Sequence, residues 1–234
     1  MKKIKVLFLL AVLLFVIILP SCKEEIKYSS EDIITKSDEF VFIEDDMMRR
    51  GSPENLEDYE SGLKIMHTEY SEIPSAFVKL TIKEYGNAQF PVYYPVASGY
   101  EDVSWAKPIT CYYLQYTGVI DEIIYKVNDN FPDTTGEEII ILRNLSMTNE
   151  GKIINIHYMY DFIYPFMKDK EYYALVDIIE RDGKKLYCAF LDAYMIEDYK
   201  EIPEYKNFEK YIEKYNYNLI REELLEKYEG MKFD

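Results

Sequence analysis

The sequence predicts a mainly β protein with flanking helices, of the α+β class: a small antiparallel barrel or sandwich of six to seven strands with a C-terminal amphipathic helix. Three observations support this fold. Residues 1–21 form an apolar leader that lies outside the folded domain. Residues 75–200 alternate strand-like runs with turn signals, without the intervening helices that a parallel α/β sheet needs. Residues 201–234 carry apolar side chains at helical spacing.

The amino terminus is typical of a secretory signal peptide. Three lysines precede an uninterrupted apolar run over residues 6–19. This run is shorter than the roughly 20 residues that cross a bilayer as a helix. A basic start, a short apolar core and a small residue before the cut indicate a cleaved leader. We therefore expect cleavage between Ser21 and Cys22, with an ordinary signal peptide or an uncleaved anchor as the alternatives.

The end of the leader, Leu19-Pro20-Ser21-Cys22, resembles the bacterial lipobox, with Leu at −3, a small residue at −1 and Cys at +1. Pro20 departs from the usual small residue at −2. The resemblance implies that Cys22 is diacylated on its sulfur, with chains such as palmitate, and becomes the first residue of the mature protein. Two acyl chains anchor a protein stably where one is marginal. We expect a lipid-anchored protein of the bacterial cell membrane that faces outside the cytoplasm.

Charge and composition exclude several classes of function. The chain has a net charge of −16, and loss of the three leader lysines leaves 24 basic and 43 acidic residues, a net charge of −19. Like charge opposes binding to nucleic acid or to anionic headgroups. A hydrophobic fraction of 48% excludes a disordered chain. Residues 22–52 are polar enough for an acidic tether, although residues 39–43 are apolar enough to dock as an edge strand.

A helical lead-in is predicted over residues 53–74. Ser52 is a good N-cap and Pro53 suits the first helical position, which together predict a helix over residues 53–61. A second helical stretch is predicted over residues 63–72.

The β region, residues 75–200, contains seven strand-like runs. They cover residues 77–83, 109–119, 120–127, 137–143, 152–160, 171–179 and 185–193. The last two runs flank Arg181-Asp182-Gly183, and Asp-Gly between two strands is a strong hairpin signal.

Segments of this region occur in a recognisable order: 77–85, then 123–126 followed by 135–141, then 164–176. Over residues 75–180 this order resembles the OB-type barrel of the netrin/TIMP-like group. The resemblance implies that Pro165 and Phe166 cap the barrel end and that a turn at Asp169-Lys170 leads into the next strand. Asp169-Lys170 replaces the usual glycine-containing turn, and the cysteine framework of the eukaryotic members is missing. Acylation of Cys22 also removes the free amino-terminal cysteine that chelates metal in TIMP-type inhibitors.

The C-terminal tail opens at Pro203 and carries an apolar stripe at three- and four-residue spacing. The stripe comprises Tyr205, Phe208, Ile212, Tyr215 and Leu219, continued by Leu224, Leu225 and Tyr228. Such stripes usually pack within their own domain, and the alternative is a helix that docks a partner. Gly230 is the predicted stop.

The remaining cysteines, Cys111 and Cys188, lie in apolar, strand-like runs. An extracytoplasmic location permits a disulfide between them. A domain of this size folds without such a bond, so two buried free thiols are the favoured interpretation.

Few residues point to catalysis. The two histidines, His67 and His157, belong to no recognisable catalytic motif. The loop 128–133 offers oxygen ligands but lacks the spacing of a calcium loop. We predict no metal and no cofactor, and the sequence favours a non-enzyme.

Aromatic residues are the other unusual feature, with 24 tyrosines and one tryptophan. One interpretation is that tyrosines on both faces of the strands fill the barrel core and its rims. The alternative is that an exposed set of aromatic residues stacks on bases or sugars. Trp105, in a polar loop, is either a buried plug or a recognition anchor.

These features favour a membrane-anchored, non-catalytic binding or accessory module for an unidentified protein or small molecule. The alternatives are an envelope hydrolase with scattered catalytic residues and a structural envelope protein that assembles through its C-terminal helix.

Replacing the lipidated residue tests the localisation. We expect Cys22→Ala to release the protein from membranes or to leave an uncleaved precursor, because the acceptor for the acyl chains is gone. Membrane fractionation and metabolic labelling with a radioactive fatty acid measure this. A variant that fractionates and labels like the wild type would show that Cys22 is not the anchor.

Overall fold

The computed structural model describes residues 29–35, 41–44, 54–68, 73–86, 90–93, 110–147, 152–155, 164–189, 193–207 and 217–233. For residues 41–44, 63–68, 90–93, 110–112, 144–147, 152–155 and 207 it describes the backbone alone. The elements in chain order are α1 (Ser30–Thr35), β1 (Val41–Glu44), α2 (Leu56–Thr68), β2 (Ser75–Tyr85), β3 (Phe90–Tyr93), β4 (Thr110–Lys126), β5 (Glu138–Met147), β6 (Lys152–Asn155), β7 (Glu171–Arg181), β8 (Lys184–Ala189), β9 (Ala193–Met195) and α3 (Tyr217–Tyr228). Two short 3-10 helices, Tyr199–Glu201 and Pro203–Asn207, precede α3.

Five strands close into a β-barrel, which confirms the predicted fold class. Around the barrel, β2 pairs with β4, β4 with β5, β5 with β8, β8 with β7, and β7 with β2. All these pairs are antiparallel except β5 with β8. The architecture is compatible with an OB-like barrel. Closure leaves no free edge among these five strands where they pair, which removes the usual hazard of an open sheet.

The longest strand, β4, joins the two runs predicted over residues 109–119 and 120–127. Its first half pairs with β5 and its second half with β2, and the two pairings overlap around Gly118. A Cβ atom at Gly118 would lie 2.7 Å from the carbonyl oxygen of Thr81 and 2.6 Å from Cδ1 of Ile141. Only glycine fits there, because β2 and β5 both approach the backbone of β4.

Shorter strands extend the sheet beyond the barrel. β1 pairs in parallel with β6, β6 pairs with β5, β3 lies along β4, and β9 lies along β7. The apolar run predicted to dock as an edge strand therefore does so as Val41–Glu44. The run predicted over residues 185–193 forms β8 and is followed by the separate strand β9.

The Asp-Gly hairpin between β7 and β8 is confirmed. Asp182 and Gly183 have φ values of +54° and +70°, and Arg181 pairs directly with Lys184. Two positive φ values are what a two-residue turn of the primed type requires, and Asp-Gly supplies them with little strain.

The amino-terminal part of the domain differs from the sequence prediction in two respects. Within residues 22–52, assigned above to a tether, α1 packs against the barrel and buries Ser30, Ile33 and Ile34. The predicted helices over 53–61 and 63–72 form one helix, α2, which runs through Gly62. A helical glycine costs only about 1 kcal/mol, which packing of α2 can offset.

Asn55 is the helix cap of α2, rather than the predicted Ser52. The Asn55 side-chain oxygen accepts a hydrogen bond from the backbone N–H of Asp58 at 2.9 Å. The backbone N–H of Leu56 donates to the Glu223 carboxylate of α3 at 2.6 Å. This second contact decides where α2 begins, and the local sequence does not contain it.

The C-terminal helix α3 packs within its own domain, as predicted. Its buried residues are Tyr217, Ile220, Arg221, Leu224 and Leu225. The predicted stripe is wrong at Leu219, which is 44% exposed, because the buried face follows the register that starts at Tyr217. Tyr205 is buried in a 3-10 helix, and Phe208, Ile212 and Tyr215 lie outside the described residues. The chain turns at Gly230, where φ is +67°.

Polar contacts also join α3 to the barrel. The Glu229 carboxylate accepts hydrogen bonds from Lys79 Nζ at 2.8 Å and from the Tyr173 hydroxyl at 2.6 Å. These two donors lower the pKa of Glu229. A further contact joins α3 to α2, since Lys227 Nζ donates to the Glu60 carboxylate at 2.7 Å.

The segment 164–170 directly precedes β7, and tyrosine hydroxyls hold its backbone. Three consecutive backbone N–H groups donate to tyrosine hydroxyls: Phe166 to Tyr116 at 3.2 Å, Met167 to Tyr172 at 2.9 Å, and Lys168 to Tyr85 at 3.1 Å. In addition, the hydroxyl of Tyr205 donates to the carbonyl of Pro165 at 2.5 Å. Buried backbone groups need such partners, since an unpaired one costs about as much as a lost hydrogen bond. Tyrosines of the barrel wall therefore supply the partners that regular secondary structure does not.

Arg143 is the largest fully buried side chain of the barrel. Its Nε donates to the carbonyl of Tyr164 at 3.2 Å, and its Nη1 donates to the carbonyl of Ala189 at 2.9 Å. The guanidinium carbon lies 4.5 Å from the centre of the Phe166 ring, within the range of a cation–π contact. One side chain of β5 thus joins β8 to the segment 164–170.

Removing this side chain should destabilise the barrel strongly. We expect Arg143→Ala to lower the free energy of unfolding by about 3–5 kcal/mol, because it opens a cavity and removes charged donors from two buried carbonyls. Arg143→Met, which keeps most of the volume, should lose less. Urea denaturation measures both.

Lys184→Ala, on the exposed hairpin, is the control and should change stability by less than about 0.5 kcal/mol. An Arg143→Ala variant as stable as this control would contradict the role given to the guanidinium group.

Candidate functional site

The barrel interior is filled by its own side chains. Tyr116, Tyr164, Phe166 and Tyr172 are each no more than 1% exposed, and the rings of Tyr164 and Phe166 lie beside the Arg143 guanidinium group. Aromatic rings of this size pack at 4.6 Å between the centres of Phe166 and Tyr172. These described positions are therefore occupied by packed side chains.

An open cleft of about 420 Å³ lies on the outer surface beside the second half of β4. It is lined by Asp121, Glu122, Ile123, Tyr125, Lys126, Asp133 and Thr135, and is called the β4 cleft below. It is an open depression of the surface rather than an enclosed pocket, and its lining is about as polar as it is apolar.

The β4 cleft forms because β4 extends beyond the end of its pairing with β5. Residues 121–126 pair with β2 on one side, while β5 pairs only with the earlier part of β4. The loop 127–137 covers the other side, where the N–H of Gly136 donates to the carbonyl of Ile120 at 2.9 Å. The Asn128 side chain fixes the start of this loop, since its oxygen accepts from the N–H of Ser75 at 3.0 Å.

The charge of the β4 cleft is predominantly negative. Asp121, Glu122 and Asp133 face one cation, Lys126, whose Nζ donates to the carbonyl of Phe131 at 2.7 Å. Asp121 is held in place by the Thr81 hydroxyl at 2.6 Å. Such a surface favours a cationic or hydroxyl-rich group.

Tyr125 lines the β4 cleft, but its hydroxyl oxygen is buried against the core and not exposed to the cleft. Burial raises the pKa of Tyr125, and the carboxylate of Glu60 raises it further. The phenol therefore stays protonated at physiological pH.

The structure does not gather the residues singled out from the sequence into one site. Ser21, Cys22, Trp105 and His157 lie outside the described residues. Cys111 lies in β4, with only its backbone described. Their predicted roles remain predictions.

Cys188 is a buried free thiol in β8. Burial raises its pKa to about 12, with a contribution from Asp177. Cys188 pairs with Leu142 of β5, whereas Tyr112, the neighbour of Cys111, pairs with Met147. Leu142 and Met147 lie five positions apart along β5, a distance of about 17 Å. The Cα atoms of a disulfide lie no more than roughly 7 Å apart.

Sequence reasoning did not identify the β4 cleft. The available signal was the charged pair Asp121-Glu122 within an otherwise apolar strand, followed by a loop with Asp133. The pattern identified the strand, but the partner of each strand edge depends on contacts that are distant in sequence.

Comparisons with protein-family models, with curated proteins and with solved structures each found no match. Among the described residues, no helix is long and apolar enough to cross a membrane. The described part of the chain also contains no group of three or more His, Cys, Asp or Glu residues that could hold a metal ion.

The burial of Cys188 predicts its reactivity. We expect iodoacetamide at pH 8 to leave Cys188 unmodified in the folded protein and to alkylate it in urea, because the thiolate is disfavoured and shielded. Peptide mass spectrometry without reductant measures the modification of each cysteine. Rapid alkylation of folded protein, or a peptide pair linked through Cys111 and Cys188, would contradict this assignment.

Proposed function

We propose that this protein is a bacterial lipoprotein, anchored through Cys22 and facing outside the cytoplasm, that acts as a non-catalytic binding or accessory module. The observation that carries the anchor is the leader ending in Leu19-Pro20-Ser21-Cys22. Its basic start, apolar core and lipobox-like end occur in the required order. The split of charge between a basic leader and an acidic mature chain fits export followed by a soluble outer domain.

The filled barrel supports a binding surface on the outside of the domain. Barrels of the OB type commonly bind ligands on an outer strand face and adjoining loops, and the resemblance of residues 75–180 to the netrin/TIMP-like group points to the same use. The β4 cleft combines a strand face with the loop 127–137. Fold similarity alone does not fix an activity, so the chemistry of this cleft carries the choice of ligand.

The partner proposed is a protein or small molecule that presents cationic or hydroxyl-rich groups. Asp121 and Asp133 supply acceptors to such groups. Nucleic acid is disfavoured, because its phosphates would meet carboxylates on a chain of net charge −19. The apolar face of α3 is already occupied by its own domain, which weakens the alternative of assembly through that helix.

Photo-crosslinking on intact cells tests this proposal. A photoreactive amino acid at Thr135, which lines the β4 cleft, should give a discrete adduct that the same group at the hairpin residue Lys184 does not give. Adding Glu122→Lys and Asp133→Lys should reduce the adduct about tenfold, the effect of losing roughly 1.4 kcal/mol of binding free energy. Immunoblotting or mass spectrometry of the purified protein measures the adduct.

The matched control adds Glu180→Lys and Glu201→Lys, an equal change of charge at exposed positions outside the cleft. Equal loss in both double variants would mean that net charge, not the β4 cleft, controls binding. Equal adducts at Thr135 and Lys184 would contradict the location of the site.

A further inference from the structure

The first described residues of the chain are fixed to one end of the barrel. The N–H of Ser30 donates to the carbonyl of Gly86 at 3.4 Å, and the Ser30 hydroxyl donates to the carbonyl of Gln115 at 3.0 Å. Ile33 and Ile34 of α1 are buried in the core. This region, defined by Ser30, Gly86 and Gln115, is called the α1 end.

The start of α1 is held in place by a local cap. The N–H of Ser29 donates to the Asp32 carboxylate at 2.7 Å, and the N–H of Asp32 donates to the Ser29 hydroxyl at 3.3 Å. These reciprocal bonds have the form of a capping box. Ser29 and the start of α1 therefore have a fixed position on the barrel.

The distance from the lipidated cysteine to this fixed point is short. Only residues 23–28 separate Cys22 from Ser29. Seven steps of at most about 3.6 Å span no more than about 25 Å. A domain of roughly 200 residues has a radius of gyration of about 17 Å, and hence a diameter of about 40 Å. The connection is thus shorter than the domain is wide, and the far side cannot turn to the bilayer.

The far side is identified by the course of β2. This strand begins at Ser75 and ends at Tyr85, next to Gly86. Ten steps of about 3.3 Å place Ser75 about 33 Å from the α1 end. Ser75 pairs with Asp177 of β7, beyond which the chain continues to the Asp182-Gly183 hairpin.

The β4 cleft belongs to the same far side. Its residues Tyr125 and Lys126 pair with Phe77 and Ala76, close to the start of β2. The loop 127–137 starts there too, since the N–H of Val127 donates to the carbonyl of Ser75 at 2.9 Å.

Resting on the lipid anchor proposed above, we infer that the barrel stands on the membrane with its α1 end toward the bilayer, and that the β4 cleft and the Asp182-Gly183 hairpin face away from it. Both the short connection and the docking of α1 are needed to restrict the orientation of the barrel on the membrane. A long tether would allow any face to contact lipid, and an undocked α1 would lengthen the connection. The outward side then meets partners in solution or on a neighbouring surface.

Energy transfer to a labelled bilayer tests this orientation. The lipidated full-length mature protein is placed in phosphatidylcholine vesicles that carry an acceptor dye on a fraction of the headgroups. A donor dye is attached through Glu84→Cys at the α1 end or through Lys184→Cys at the hairpin, both exposed positions, in a Cys111→Ala background. Zwitterionic headgroups minimise repulsion from exposed carboxylates such as Glu31 and Glu204 at the α1 end.

We expect severalfold higher transfer from position 84 than from position 184. Inserting 20 Gly/Ser residues between Glu24 and Glu25 should remove most of this difference, because the connection then exceeds the domain diameter. Equal transfer from both positions without the insertion, or higher transfer from position 184, would overturn the orientation. If the protein does not float with the vesicles, the lipid anchor itself fails and the inference with it; the flotation measurement separates the two failures.

Discussion

The guanidinium group of Arg143 is the contact on which the arrangement of the barrel depends. It lies where the sheet closes through its parallel pair, since Arg143 of β5 is in register with Ala189 of β8 and donates to that residue's carbonyl. The same group donates to Tyr164 at the start of the crossing segment. A buried cation is costly unless its donors are used. Carbonyls from two separate parts of the chain accept from this group and the Phe166 ring packs against it, so the position of one part constrains the other.

The tyrosine content has a structural explanation that follows from this closure. The segment 164–170 has no strand partner for its successive N–H groups of Phe166, Met167 and Lys168, and hydroxyls from the barrel wall accept from them. Burial raises the pKa values of Tyr116 and Tyr172, so their hydroxyls remain neutral and keep this role across the physiological range. Phenylalanine would fill the same volume but would leave those backbone groups unpaired.

The two ends of the barrel have different roles in the proposed function. The α1 end carries the connection to Cys22, and the opposite end carries the loop 127–137 and the β4 cleft. The strand β2 links them and sets their separation. In the proposed arrangement the acidic β4 cleft faces away from the membrane, where its carboxylates are accessible to a partner. In the same proposal, the excess of acidic residues favours solubility, and the carboxylates of the β4 cleft favour cationic ligand groups.

The sequence by itself determined the features that depend on neighbouring residues. The β-rich region, the Asp182-Gly183 hairpin and the stop at Gly230 follow from local periodicity and from the φ values that turn residues allow. Tertiary structure alone decided the closure between β5 and β8, the start of α2 at Asn55, the buried register of α3 and the position of the β4 cleft. Each of these depends on contacts between residues distant in the chain, such as Leu56 with Glu223 and Arg143 with Ala189. Local patterns do not encode such pairings, because the free energy that selects them arises only when the core is assembled.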